Sequence, residues 1–101
     1  MNKIFITVTG FRFRYGLDFI NENMILNLKK EPKNEHDCEA IEVRLDGLGK
    51  IGYVANSAHT VLGECHSAGY IYNKIGFNAF AKVLYVLEDK DALICELLLK
   101  K

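Results

Sequence analysis

Six short runs of β-branched, aromatic and aliphatic residues, separated by turn-forming residues, constrain this chain more than any other feature: 4–8 (IFITV), 24–28 (MILNL), 40–45 (AIEVRL), 50–54 (KIGYV), 82–88 (KVLYVLE) and 93–99 (LICELLL). Side chains of these types fit a pleated, half-buried surface, and runs this short are strands more readily than helices. Gly10, the KKEPKNEHD run with Pro32, the DGLG stretch and the DKD stretch interrupt them. Pro32 forces Glu31 out of helical geometry, and Asn34 and Asp37 close turns by bonding their own backbone. Residues 40–45 and 50–54 flank DGLG and are expected to pair as a hairpin, with Ile41 and Val43 on one face. Residues 82–88 and 93–99 are expected to form a closing hairpin, although LICELLL alone has equal helical propensity. One helix is expected over 58–66, capped by Ser57, with Val61, Leu62 and Cys65 sharing a face and Gly69 as its stop. Residues 70–79 read as irregular. Strands at short intervals with a helix inserted describe a mainly β (α+β) barrel, of which the OB type is the commonest at this size.

A chain of 101 residues suits one domain, since a hydrophobic core serves roughly 100–200 residues. We therefore expect a single domain over 1–101. Lys and Arg total 13, as do Asp and Glu, so no long-range field draws a polyanion to the protein and any nucleic-acid site must be local. Basic residues do cluster, at Arg12 and Arg14, at Lys29, Lys30 and Lys33, and at Lys100 and Lys101. Cys38, Cys65 and Cys95 are odd in number and widely spaced, which argues against a disulfide framework and for a reducing compartment. The N-terminal MNKIFITVTG lacks the apolar core of a secretory signal, and no run approaches the ~18 apolar residues of a membrane span. A soluble, cytoplasmic protein without membrane partners is the expectation.

Two segments carry chemistry. In FRFRYG, residues 11–16, an extended backbone sends Phe11, Phe13 and Tyr15 to one side and Arg12 and Arg14 to the other, the alternation that suits base stacking with phosphate anchors. The loop EPKNEHDCEAIEV places Asn34, His36 and Asp37 within four positions. By composition it is a solvated turn; by residue type it is also a site for a polar ligand.

Taken together, VTGFRFRYG, LKKEPKNEHDCEAIEV and KIGYV resemble the HIRAN domain, a module attached to some Swi/Snf-type DNA-dependent ATPases and also found as short stand-alone bacterial proteins. The matching positions are Thr9 and Gly10; 11–16; Lys30, Glu31, Pro32, Asn34, Asp37, Ala40, Ile41 and Val43; and Ile51, Gly52 and Tyr53. The resemblance implies a modified OB-like antiparallel barrel of about six strands with one or two short helices. It also implies a single-stranded nucleic-acid ligand, in some members the 3′ end of DNA, and work in DNA repair or processing beside a separate helicase-type ATPase or nuclease. Carried over by position, Arg12 meets a backbone phosphate, Phe13 stacks on a base, Asn34 and Asp37 hold the terminal sugar, and Phe80 stacks a second base. A carboxylate at Asp37 is the natural acceptor for a free 3′ hydroxyl, which a 3′ phosphate lacks. The chain departs from the end-binding pattern at four positions: His36 replaces an aromatic, Arg14 a second aromatic, Tyr53 a common histidine and Asn56 a residue that is often basic.

The rival reading is a protein-interaction or homo-oligomer module in which 93–99 or the N-terminal strand pairs edge to edge. A zinc site lacks the paired ligand spacing it needs, and neither GxSxG nor a Gly-rich phosphate loop accompanies any nucleophile. No cofactor, metal or catalytic residue is expected, and the chain reads as a binding module. Phe80, by residue type alone, belongs in the core.

Overall fold

A computed structural model describes residues 3–11 and 16–99. Among the described residues six strands, β1 (Phe5–Thr9), β2 (Ile25–Lys30), β3 (Ile41–Leu45), β4 (Gly49–Val54), β5 (Asn78–Leu87) and β6 (Ala92–Leu98), accompany one α-helix, α1 (Ala68–Tyr72), and a single 3-10 turn at Glu88–Lys90. The strands close into a barrel in the order β1-β4-β3-β2-β5-β6, antiparallel throughout, with β6 returning to β1. The expected six-stranded OB-like barrel with a short helix is therefore what the chain forms.

Alternation decides which side chains fill it. Leu26 and Leu28, Ile41 and Val43, and Leu93, Cys95 and Leu97 point inward from their strands and are buried with Ile6, Val8 and Phe11. Each such aliphatic contributes about 1.5–3 kcal/mol on leaving water. LICELLL is strand because its inward residues complete this core, which outweighs its helical propensity. Cys95 lies wholly inside, and burial, with the neighbouring Cys65 second, pushes its thiol up to about 12, so it is no nucleophile. Register shifts at Val43/Arg44 and Val83/Tyr85 mark bulges, which bend strands enough to let a small sheet close. At Gly52 the barrel needs glycine, because a Cβ there would sit 2.4 Å from the Thr9 carbonyl oxygen and 3.5 Å from the Phe11 ring. Among the described residues, no helix is long and apolar enough to cross a membrane.

Three expectations are corrected. The helix is not at 58–66. Ser57 does begin a turn, its carbonyl accepting from Thr60 and Val61 and its hydroxyl from His59. The turn stops because Leu62 N–H donates to Thr7 Oγ1 and His66 N–H to the Phe5 carbonyl, so β1 captures the segment. The helix forms instead where Ser67 Oγ accepts from Tyr70 N–H and Ala68 and Ile71 turn inward; Gly69 lies within it. Residues 70–79, expected to be irregular, thus supply the end of α1 and the start of β5. Finally, β1 and β6 each have two partners in the barrel, so neither presents the free edge that edge-to-edge oligomerisation requires.

Candidate nucleic-acid interface

The loop between β2 and β3 is built by its own polar side chains. Asn34 Oδ1 accepts from the backbone N–H groups of His36 (2.8 Å) and Asp37 (3.1 Å), an Asx-type closure, while its Nδ2 donates to Glu31 Oε1 at 2.9 Å. Asp37 Oδ1 then accepts from Glu39 N–H at 2.8 Å, and Ala40, buried, returns the chain to β3. Much of the EPxNxxDxxAIxV pattern is accounted for by this architecture.

Two tethers fix the loop against the barrel. Tyr53 on β4 donates its hydroxyl to Glu31 Oε1 at 2.9 Å and accepts from Lys50 Nζ at 2.8 Å, and Lys50 pairs with Glu31 Oε2 at 2.9 Å and Glu42 Oε1 at 3.7 Å. Burial pushes the Glu31 carboxyl up, but hydrogen bonds with Glu42, Asn34, Lys50 and Tyr53 more than reverse it, leaving it at about 2. The Tyr53 hydroxyl above all, against the effect of burial and helped by Glu31, raises the Lys50 ammonium above its usual 10.5. On the other side, Asn56 Nδ2 donates to Asp37 Oδ2 at 2.8 Å while its Oδ1 accepts from Gly69 N–H in α1 at 2.7 Å. A Cβ at Gly69 would lie 2.6 Å from Glu39 Oε1 and 3.2 Å from Asn56 Oδ1, so glycine lets the helix approach this close.

Between the tethers opens a pocket of about 450 Å³, lined by Thr9, Asn34, His36, Asp37, Ala40, Tyr53, Val54, Ala55, Asn56, Ser57 and Thr60. Its volume is in the range of ~300–1,000 Å³ usual for small-ligand sites. Asp37 is the one carboxylate in this lining, and among the described residues its two oxygens each accept one hydrogen bond, where each has room for a second. Asn34, His36, Asp37 and Tyr53 from the sequence reading therefore share one pocket. Phe80 does not line it. That ring is exposed on β5, beside Lys74, Asn78 and Leu98, in a separate hollow, and it is not the core residue its type suggests. Arg12, Phe13, Arg14 and Tyr15 lie outside the described residues; Phe11 and Gly16, joined by a 3.0 Å backbone hydrogen bond, bracket them.

Sequence reasoning missed Thr9, Ser57 and Thr60 in the lining and the clamp formed by Glu31 and Lys50. Serine and threonine carry no positional signal, and the clamp joins residues that only strand register brings together. Asn56 was visible only as a departure from a pattern. Among the described residues no group of three or more His, Cys, Asp or Glu side chains is placed to hold a metal ion.

Among solved structures, the chain is similar to the HIRAN domain of human HLTF, with a TM-score of 0.67 and 19% identity over 95% of this chain and 73% of that one. A protein from Lactobacillus plantarum is comparably similar, with a TM-score of 0.65 and 20% identity over 95% and 93%. No curated protein matches by sequence. The family model of the HIRAN domain matches residues 1–79. The chain belongs to the HIRAN domain family, known as nucleic-acid-binding modules.

Proposed function

We propose that this protein binds single-stranded DNA and holds its 3′-hydroxyl end in the pocket between the β2–β3 loop and β4. What carries the reading is the Asp37 carboxylate, held by Asn56 and the Glu39 N–H in the same lining as Tyr53 and His36, with one acceptor position on each oxygen unfilled among the described residues. A terminal hydroxyl donates to it; a 3′ phosphate, acceptor only and charged, is repelled. The Thr9 and Ser57 hydroxyls in the same lining suit phosphate oxygens, while the Thr60 hydroxyl donates to the Ser57 carbonyl; His36 and Tyr53 offer ring surface to the terminal base. Asn34 shapes the loop, its Oδ1 accepting from His36 and Asp37 and its Nδ2 donating to Glu31. Arg12 and Arg14 supply phosphate-neutralising charge and Phe13 a stacking ring from the segment that follows Thr9, and Phe80 receives a base further along the strand. The protein acts in DNA repair or processing, in the cytoplasm, delivering ends to a separate ATPase or nuclease.

The test is fluorescence anisotropy with a short labelled oligonucleotide. A 3′ phosphate and Asp37→Asn should each weaken binding about tenfold, the worth of one charge-assisted hydrogen bond. Arg12→Glu should weaken it further and flatten its salt dependence. Equal affinity for 3′-hydroxyl and 3′-phosphate probes would remove the end-reading role from Asp37.

A further inference from the structure

We infer that the Asp37 pocket takes a ribonucleotide 3′ end, the Asp37 carboxylate accepting from both hydroxyls of the vicinal 2′,3′-diol. This deepens the end-binding reading above and rests on it. Asp37 is held from two elements. Its Oδ1 accepts from Glu39 N–H in its own loop at 2.8 Å, and its Oδ2 from Asn56 Nδ2, just beyond β4, at 2.8 Å. Bonded at both oxygens, the carboxylate cannot turn without breaking one of these bonds, so it joins the pocket lining as a fixed pair of acceptors. A carboxylate has about four acceptor positions, and among the described residues one on each oxygen is unfilled.

That pairing selects the sugar. A deoxyribose end brings one hydroxyl, on the 3′ carbon, and engages one oxygen. A ribose end brings a second on the adjacent carbon, and an acidic side chain bonded to the 2′ hydroxyl is how dinucleotide-binding folds recognise ribose. It is also the group by which a protein tells RNA from DNA. The rest of the lining agrees. Among its described residues there is no lysine or arginine to neutralise Asp37, which favours neutral donors such as hydroxyls over a phosphate. Ala40 and Ala55 end at a methyl, and a pocket of about 450 Å³ has space for one more oxygen.

The experiment is competition anisotropy on the full chain with short oligothymidylates that differ in the last sugar alone: deoxyribose, ribose, 2′-fluoro or 2′-O-methyl, each with a free 3′ hydroxyl. Ribose should bind about tenfold tighter than deoxyribose, as one further hydrogen bond to a charged group allows. The fluoro sugar shares the ribose pucker but has no 2′ proton to donate; it should bind like deoxyribose, and the methylated sugar no tighter. Asp37→Asn, with one acceptor oxygen in place of two, should bring the ribose and deoxyribose affinities together. The sugar series on the wild type decides the matter even if that variant does not fold. Equal affinities for ribose and deoxyribose ends, or a fluoro or methylated sugar that gains as much as ribose, overturn the diol contact and leave the end-binding reading in place. So does a ribose advantage that persists in Asp37→Asn. Absence of binding to every 3′-hydroxyl probe overturns both readings.

Discussion

Glu31 holds Asn34, Tyr53 and Lys50 with two oxygens, so the loop and β4 share a single carboxylate as their joint. Its folded-state pKa, about 2, lies below the 4.5 of the free side chain. The ionised group therefore stabilises the fold above pH 4.5, and that contribution disappears as pH falls from there to about 2. The expected result is a wild-type melting temperature that drops steeply across this window and a Glu31→Gln variant whose melting temperature drops less. Near neutral pH the variant should melt roughly 4–8 °C lower, the shift that ~1 kcal/mol produces in a domain of this size. Parallel pH profiles for the two proteins, measured by circular dichroism, would contradict the role given to this carboxylate. At the level of single residues, the sequence pointed to Asn34 and Asp37 because their turn chemistry is local. It could not show that Asn34 turns its polar atoms inward on the loop, nor that Asn56, 19 residues from Asp37, supplies that aspartate with a partner.

Between elements, the tightest joint is where β1 crosses β4. Thr9 pairs with Tyr53 and the Thr9 carbonyl lies 2.4 Å from where a Gly52 side chain would begin. A backbone atom cannot rotate away as a side chain can, so Gly52→Ala must spread the two strands. We expect it to destabilise the protein by about 1–3 kcal/mol, as overpacked interiors do, seen as a lower urea midpoint. A loss of oligonucleotide affinity should accompany it, because Thr9 and Tyr53 both line the pocket; an unperturbed midpoint would show that the strands have slack there. All six strands were legible because apolar type and period two act over neighbouring residues. The helix was not. Ser57 and Ser67 both begin turns, and the choice between them is made by Thr7 Oγ1 and the Phe5 carbonyl, which bind Leu62 and His66 from 55 and 61 positions away. No local pattern carries such a preference.

As a whole, the molecule has equal numbers of cationic and anionic side chains, so attraction for nucleic acid has to be local and short in reach. The closed barrel supplies a rigid frame in which β1, β4, the β2–β3 loop and the segment before α1 meet at one pocket. The family pattern touches three of those four walls, β1 at Thr9, the loop and β4, each as a short contiguous stretch. The Ser57 and Thr60 wall follows from barrel closure, which sequence spacing does not encode. The central claim is that this pocket receives a strand end, and a two-dimensional amide NMR titration with a short single-stranded 3′-hydroxyl oligonucleotide tests it most directly. Perturbed amides should concentrate at Asn34, His36, Asp37, Tyr53, Asn56 and Ser57, and a 3′-phosphorylated oligonucleotide should shift them far less. Perturbations centred on the outer surface of β5 and β6, with the Asp37 and Tyr53 signals unmoved, would contradict it.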